Sequence, residues 1–128
     1  MILDDFKLTD QVAIVTGTRR GLGQGMALGL AEAGAHIVAF DRSDPVETSE
    51  QVRALGRRFE HRRIDLLTSD QQALWRAVDE VVAEWGRLDI LVNNAGIIHR
   101  QPAIEHAEEG WQNVLQVNLS AMFYLCQG

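Results

Sequence analysis

Between Val15 and Gly25 the chain reads V-T-G-T-R-R-G-L-G-Q-G, four glycines and two arginines in eleven residues. A helix N-terminus presents unpaired N–H groups and a partial positive charge, which together attract phosphate. A side chain in the preceding turn would hold the phosphate away, and glycine removes that obstacle. The spacing Gly17-x-x-x-Gly21-x-Gly23, placed between an apolar run and a helical pattern, therefore suits a dinucleotide pyrophosphate. The alternative is a plain tight turn. A P-loop must end in Gly-Lys-Ser/Thr, and the one lysine of the chain is Lys7, so that reading fails. Gly25 and Gly29 fall inside the helix, where each costs about 1 kcal/mol relative to alanine. Close packing against a sheet is the expected reason.

A second group that can do chemistry is Asp41, eighteen positions after Gly23. A carboxylate there can accept both hydroxyls of an adenosine ribose. It would also repel a 2′-phosphate, by up to roughly 4 kcal/mol at contact for an effective dielectric of ~20. Asp41 thus favours NAD. Arg20 and Arg42 flank the place of a 2′-phosphate, and arginine is the residue that accommodates one. NADP is the less favoured alternative, and both arginines can also be plain surface residues.

The elements that must position these groups follow from the apolar pattern. Val12–Thr16 is a β-branched run suited to a strand buried on both faces. A helix follows, with Leu22, Met26, Leu30, Ala27 and Ala31 at helical spacing and Gly34 as its stop. His36–Phe40 reads as a second strand. Asp44, Pro45 and Glu47 read as N-cap, first helical residue and capping-box acid of a second helix, with Val46, Val52 and Leu55 on its buried side. Phe59–Ile64 is a more polar third strand. Thr68-Ser69-Asp70 opens a third helix with a stripe of Leu74, Val78, Val81, Val82 and Trp85, closed by Gly86. Leu88–Val92 is a fourth strand. From Glu108 a last helix carries Trp111, Val114, Leu115, Leu119, Met122 and Phe123. Strands that alternate with helices make right-handed crossovers and a parallel sheet, here α/β, Rossmann-like and doubly wound, in the order 3-2-1-4.

With 128 residues, the chain is sized for one domain and not for two. A net charge of −6 argues against nucleic-acid or anionic-membrane partners. One cysteine, Cys126, excludes an internal disulfide, and the reducing cytoplasm is the expected compartment. The start MILDDFKLTD is no signal peptide, and no apolar run has the length of a membrane span. His36, His61, His99 and His106 show no metal-ligand spacing, so no metal is expected. Arg57, Arg58, Arg62 and Arg63 read as a solvated face rather than an anion site.

The chain resembles the short-chain dehydrogenase/reductases along its whole length. Thr16-Gly17-Thr18-Arg19-Arg20-Gly21-Leu22-Gly23 is similar to that family's T-G-x-x-x-G-x-G turn, and Asn93-Asn94-Ala95-Gly96 to its N-N-A-G motif. Asp65-Leu66 resembles its adenine-contacting pair, and Asn118 falls where the family carries an asparagine in its fifth helix. The resemblance implies roles. Gly17, Gly21, Leu22 and Gly23 would surround the pyrophosphate and adjoining riboses, and Arg19 and Arg20 of the same turn are candidate cofactor-binding residues. Asp65 would meet the adenine amino group, and Leu66 would add a backbone N–H. Asn93, Ala95 and Gly96 would line the cofactor, and Asn118 would belong to the catalytic group. A nearer likeness, in MILDDFKL, GLGQGMALGLAEAGAHIVAF, ALGRRF and NNAGIIHR, is to the branch acting on deoxy-sugar acids. Arg100 is then a candidate for the substrate carboxylate, against a plain loop arginine.

The family's general acid–base group is a tyrosine with a lysine four residues later. Here Tyr124 is the one tyrosine and Gly128 stands four residues on. The chain alone is accordingly expected to bind a dinucleotide without turning it over. Residues 1–128 are expected to be the N-terminal part of one Rossmann domain, an incomplete sheet of a protein about twice as long. That protein would be a homo-oligomer, dimer or tetramer, paired through the last helix. Two other readings stay open: a non-catalytic nucleotide-binding or subunit-pairing module, and an NADP-dependent carbonyl reductase of the same family.

Overall fold

The computed structural model describes residues 1–128. Its sheet holds β1 (Val12–Thr16), β2 (His36–Asp41), β3 (Phe59–Arg63) and β4 (Ile90–Val92), all parallel, in the order β3-β2-β1-β4. The helices are α1 (Gly21–Glu32), α2 (Val46–Ala54), α3 (Gln71–Trp85), α4 (Glu108–Leu115) and α5 (Ala121–Gln127). The α/β architecture and the strand order are those expected from the alternation of patterns.

Period-two alternation along β1 and β2 divides the core into two layers. Val12, Ile14, Val38 and Phe40 face α3 and α5, where they meet Leu74, Val78, Val81, Val117, Ala121 and Leu125. Ala13, Val15, Ile37 and Ala39 face α1 and α2, where they meet Ala27, Ala31 and Val52. Burying each of the larger side chains contributes roughly 1.5–3 kcal/mol.

The second layer is built of small residues, and this corrects the expected face of α1. Its buried residues are Gly23, Ala27 and Ala31, while Leu22 is 77% and Met26 41% exposed. Nor are Gly25 and Gly29 packed on the sheet, since a Cβ at either would meet nothing. Of the glycines in α1 only Gly23 makes a close approach, to the Gly17 carbonyl and the Asn94 amide.

Helix α2 also departs from expectation. Pro45 is its N-cap, with a ψ of 63°, so the helix starts one residue later than the proline suggested, and no side chain caps it. Asp44 faces His61 instead, at 3.9 Å. Val46 and Leu55 are exposed, and Thr48, Ser49 and Val52 are buried. Asp70 does cap α3, accepting from the Ala73 N–H at 2.8 Å, and Gly86 closes it. In that helix Val82 lies outside the buried stripe.

Strand β4 is shorter than Leu88–Val92; just before it Asp89 donates its N–H to the Val12 carbonyl at 3.0 Å while its carboxylate accepts the Val12 N–H at 2.9 Å. The last helix is broken by a π-turn at Gln116–Ser120 between α4 and α5. Trp111, Leu119 and Phe123 point outward. Of the arginines around β3, Arg58 and Arg63 are exposed, and three of the four are engaged by neighbours. Arg62 bridges Glu60, Glu80 and Glu84, Arg58 lies over the Trp85 ring at 3.9 Å, and Arg57 reaches Asp10 and the Gly34 carbonyl.

Candidate cofactor site

The β1–α1 turn adopts a conformation that glycine permits, with φ of +71° at Gly17 and +61° at Gly21. Gly23, in the first turn of α1, lies directly against the Gly17 carbonyl, and a Cβ there would collide with it. Arg20 stands at the N-cap in an extended conformation without a side-chain cap. The first main-chain bond into α1 is from Gln24 to Arg20, so the N–H groups of Gly21, Leu22 and Gly23 find no protein acceptor. Three free donors at a helix N-terminus are what a phosphate needs.

A buried network holds this turn. Both oxygens of Asp41, at the end of β2, accept from Thr18: Oδ1 from the N–H at 2.8 Å and Oδ2 from the hydroxyl at 2.6 Å. The Thr18 carbonyl accepts from the Thr48 hydroxyl at 2.7 Å, which in turn accepts from Gln24 Nε2 at 3.0 Å. Thr18 and Thr48 are wholly buried.

A second clamp comes from β4. Asn94 Nδ2 donates to the carbonyls of Thr16 and Gly17 at 3.1 and 3.0 Å. The Thr16 hydroxyl accepts the main-chain N–H groups of Asn94 and Ala95 at 3.0 and 2.9 Å. The turn after β1 and the loop after β4 therefore form one unit, with Ala95 so close that a Cβ on Gly17 would stand 3.1 Å from its Cα.

Beside this unit opens a cleft of about 380 Å³ at the carboxyl ends of the strands, the place where open α/β sheets bind ligands. Of the residues expected around a cofactor, Gly17, Arg19, Arg20, Asp41, Arg42, Asp65, Leu66, Ala95 and Gly96 line it. Arg19, Arg20 and Arg42 are exposed, and no ion pair of the protein uses them. Asp65 accepts the Leu67 N–H at 2.9 Å through Oδ1, and the Leu66 carbonyl accepts from Gln116 at 3.0 Å.

Other expected residues lie elsewhere. Gly21, Leu22 and Gly23 shape the turn and the helix start without lining the cleft. Asn93 is turned away: its Nδ2 faces the Cys126 sulfur at 3.4 Å and its Oδ1 is buried with no partner. The signal that separates the two asparagines is strand parity, because Asn94 continues the Ile90 and Val92 face toward α1 whereas Asn93 continues the Leu91 face toward α5. Thr16, Thr18 and Asn94 stand inside the quoted motifs and Ile97 just after one; motif reading gives none of them a role, yet they hold or line the site. Arg100 is exposed and outside the cleft. Asn118, within the π-turn, accepts the Ile97 N–H at 2.8 Å and donates to the Ile97 carbonyl at 2.9 Å. It thereby holds the loop that carries Gly96 and Ile97 into the cleft. Lys7 pairs with Asp4, and Tyr124 packs against the core; neither lines the cleft. No group of histidine, cysteine or acidic side chains is placed to hold a metal ion.

The profile of the short chain dehydrogenases matches residues 11–128. The chain belongs to that family. It is 50% identical over 127 residues to the 2-dehydro-3-deoxy-D-gluconate 5-dehydrogenase of Escherichia coli (strain K12), covering 99% of this chain and 49% of that one. Among solved structures, a protein from Agrobacterium tumefaciens assigned as a 2-deoxy-D-gluconate 3-dehydrogenase, with bound NADP, is 41% identical with a TM-score of 0.83. That match covers 95% of this chain and 47% of the other. The carveol dehydrogenase of Mycobacterium avium, in complex with NAD, is 30% identical with a TM-score of 0.84, covering 94% and 48%. The chain thus spans about half the length of the relatives it matches.

Proposed function

We propose that this chain forms the cofactor-binding half of an oxidoreductase that moves hydride between NAD(P)(H) and a secondary alcohol or ketone of a deoxy-sugar acid. The observation that carries this reading is the set of free N–H groups on Gly21, Leu22 and Gly23, opening beside a cleft ringed by unpaired arginines. The substrate class rests on likeness to the deoxy-gluconate dehydrogenases. The working protein in this reading is about twice as long, cytoplasmic and a homo-oligomer, dimer or tetramer, and its proton-transfer tyrosine and lysine lie outside residues 1–128. No helix is long and apolar enough to cross a membrane.

The preference for NAD over NADP, read from Asp41 in the sequence, is not retained. One relative carries NADP and another NAD, and the three arginines offset the repulsion that Asp41 exerts on a 2′-phosphate. The site takes both cofactors, with dissociation constants within about tenfold of one another, a difference of about 1.4 kcal/mol. Fluorescence titration of the purified protein with NADH and NADPH tests this directly. Binding of neither overturns the reading, and a ratio of about a hundredfold or more overturns the dual preference. Reduction of NAD(P) by the full-length protein, measured with a panel of deoxy-sugar acids against neutral sugars, tests the substrate class.

A further inference from the structure

We infer that Gln116 is a positioning residue that fixes the wall of the cleft on the β3 side and so sets the affinity for the adenosine end of the cofactor. The inference rests on the reading of the cleft as an NAD(P) site. With the strands in the order β3-β2-β1-β4, the glycine turn after β1 stands between the loops that follow β3 and β4. A dinucleotide whose pyrophosphate lies on that turn sends one nucleoside toward each loop. The loop after β3 lines the cleft with Ile64, Asp65, Leu66 and Leu67. It offers apolar surface to a flat base beside a carboxylate whose Oδ2 has no partner in the protein and can accept from an adenine amino group.

This wall has two supports. From within, the Asp65 carbonyl accepts the Ser69 hydroxyl at 2.7 Å and the Ser69 N–H at 3.0 Å. From outside, Gln116 Nε2 donates to the Leu66 carbonyl at 3.0 Å and to the Ser69 carbonyl at 3.2 Å. Both acceptors are carbonyls, which settles the orientation of the amide, and both of its N–H groups are used. Neither carbonyl has another donor in the protein. Gln116 opens the π-turn, and that turn serves both sides of the cleft. A helical residue and the next but one face roughly opposite ways. Gln116 therefore reaches the loop after β3, while Asn118 reaches Ile97 in the loop after β4. Val117 between them is buried and lines the cleft. Each amide fixes one wall, so removing the amide of Gln116 should be felt at one end of the cofactor.

Gln116→Met keeps the length of the side chain and removes both donors. The loop is then free to shift, and the base loses its bond to Asp65, worth about fivefold in affinity. The test is competition of AMP and of nicotinamide mononucleotide against bound NADH in the full-length protein. The dissociation constant for AMP should rise at least about fivefold, and that for nicotinamide mononucleotide should stay within about twofold of wild type. A general loss of packing would not separate the two ends. Should Gln116→Met fail to fold, Gln116→Ala removes the same donors without bulk. Unchanged AMP affinity in a folded variant, equal weakening of both mononucleotides, or a loss confined to nicotinamide mononucleotide refutes the inference. Wild-type protein that binds neither NADH nor AMP refutes the underlying site reading instead.

Discussion

Asn94→Ala removes in one step the two hydrogen bonds that tie the end of β4 to the glycine turn. Nδ2 donates to the Thr16 and Gly17 carbonyls at 3.1 and 3.0 Å in a half-buried setting. Each such bond is worth about 1 kcal/mol net, and carbonyls left short of a donor add their desolvation, so the loss should be about 2–4 kcal/mol. The neighbouring Asn93→Ala removes only a 3.4 Å contact with the Cys126 sulfur and a buried Oδ1 that has no partner. Deleting an unsatisfied group relieves a penalty, so this variant should lie within about 0.5 kcal/mol of wild type. The assay is urea unfolding followed by tryptophan fluorescence, with the change in midpoint converted through the m-value. Titration with NADH adds a second readout, since a relaxed Gly17 turn should weaken cofactor binding in Asn94→Ala and not in Asn93→Ala. Equal or reversed losses in the two variants would refute the assignment of Asn94 as the clamp.

Gly23→Ala should abolish soluble folded protein or lower stability by more than about 3 kcal/mol, because its Cβ meets the Gly17 backbone, which cannot swing aside, as well as the Asn94 amide; a variant within about 1 kcal/mol of wild type by urea unfolding would contradict the contact. Burial first, and then the Arg57 charge, holds the His36 pKa below the usual imidazole value. The unfolded chain therefore takes up the proton more readily, stability falls as pH drops below about 6.5, and His36→Gln should flatten that limb of a urea-midpoint profile. Arg62→Ala leaves Glu60, Glu80 and Glu84 facing one another and should cost about 1–3 kcal/mol once the exposure of the outer two is discounted; Arg62→Met with no loss in chemical denaturation would make the cluster ornamental. For Arg100 we propose pairing with the substrate carboxylate, so Arg100→Ala in the full-length protein should raise KM for an acidic substrate with NAD(P) affinity unchanged, and an unaltered KM would dispose of the pairing.

The strands and the glycine turn were legible because their signals are local. A β-branched run with glycines at its end can do little else, and period-two alternation then dictates both core layers. Helix faces were less legible where packing depends on smallness rather than apolarity. In α1 the large residues Leu22 and Met26 look like a core stripe, yet the sheet beneath offers Ala13 and Ala39, and the helix sits close on Gly23, Ala27 and Ala31. The Asp44-Pro45 pair marked the start of α2 one residue early for a backbone reason: Pro45 has a non-helical ψ and is the N-cap, and Asp44 lies toward His61. The π-turn has no compositional mark of its own; its Asn118 amide is committed to the Ile97 main chain.

The site also shows why net charge is a poor guide to what a cleft will accept. A protein of net charge −6 should repel a pyrophosphate at long range, but screening limits that repulsion to about 8–10 Å at physiological salt. Inside that distance the local groups decide. The two acids that border the cleft both accept from the protein itself, Asp41 from Thr18 in the turn after β1 and Asp65 from the nearby Leu67 N–H. The arginines of the same border have no such partners and remain turned to solvent. Three arginines against two acids give the border of the cleft the opposite sign to the chain. The glycine turn supplies the close approach of backbone N–H groups that a charge pattern alone cannot provide. Neither feature is sufficient separately: without the turn the arginines would be surface charges, and without the arginines the turn would open onto two carboxylates.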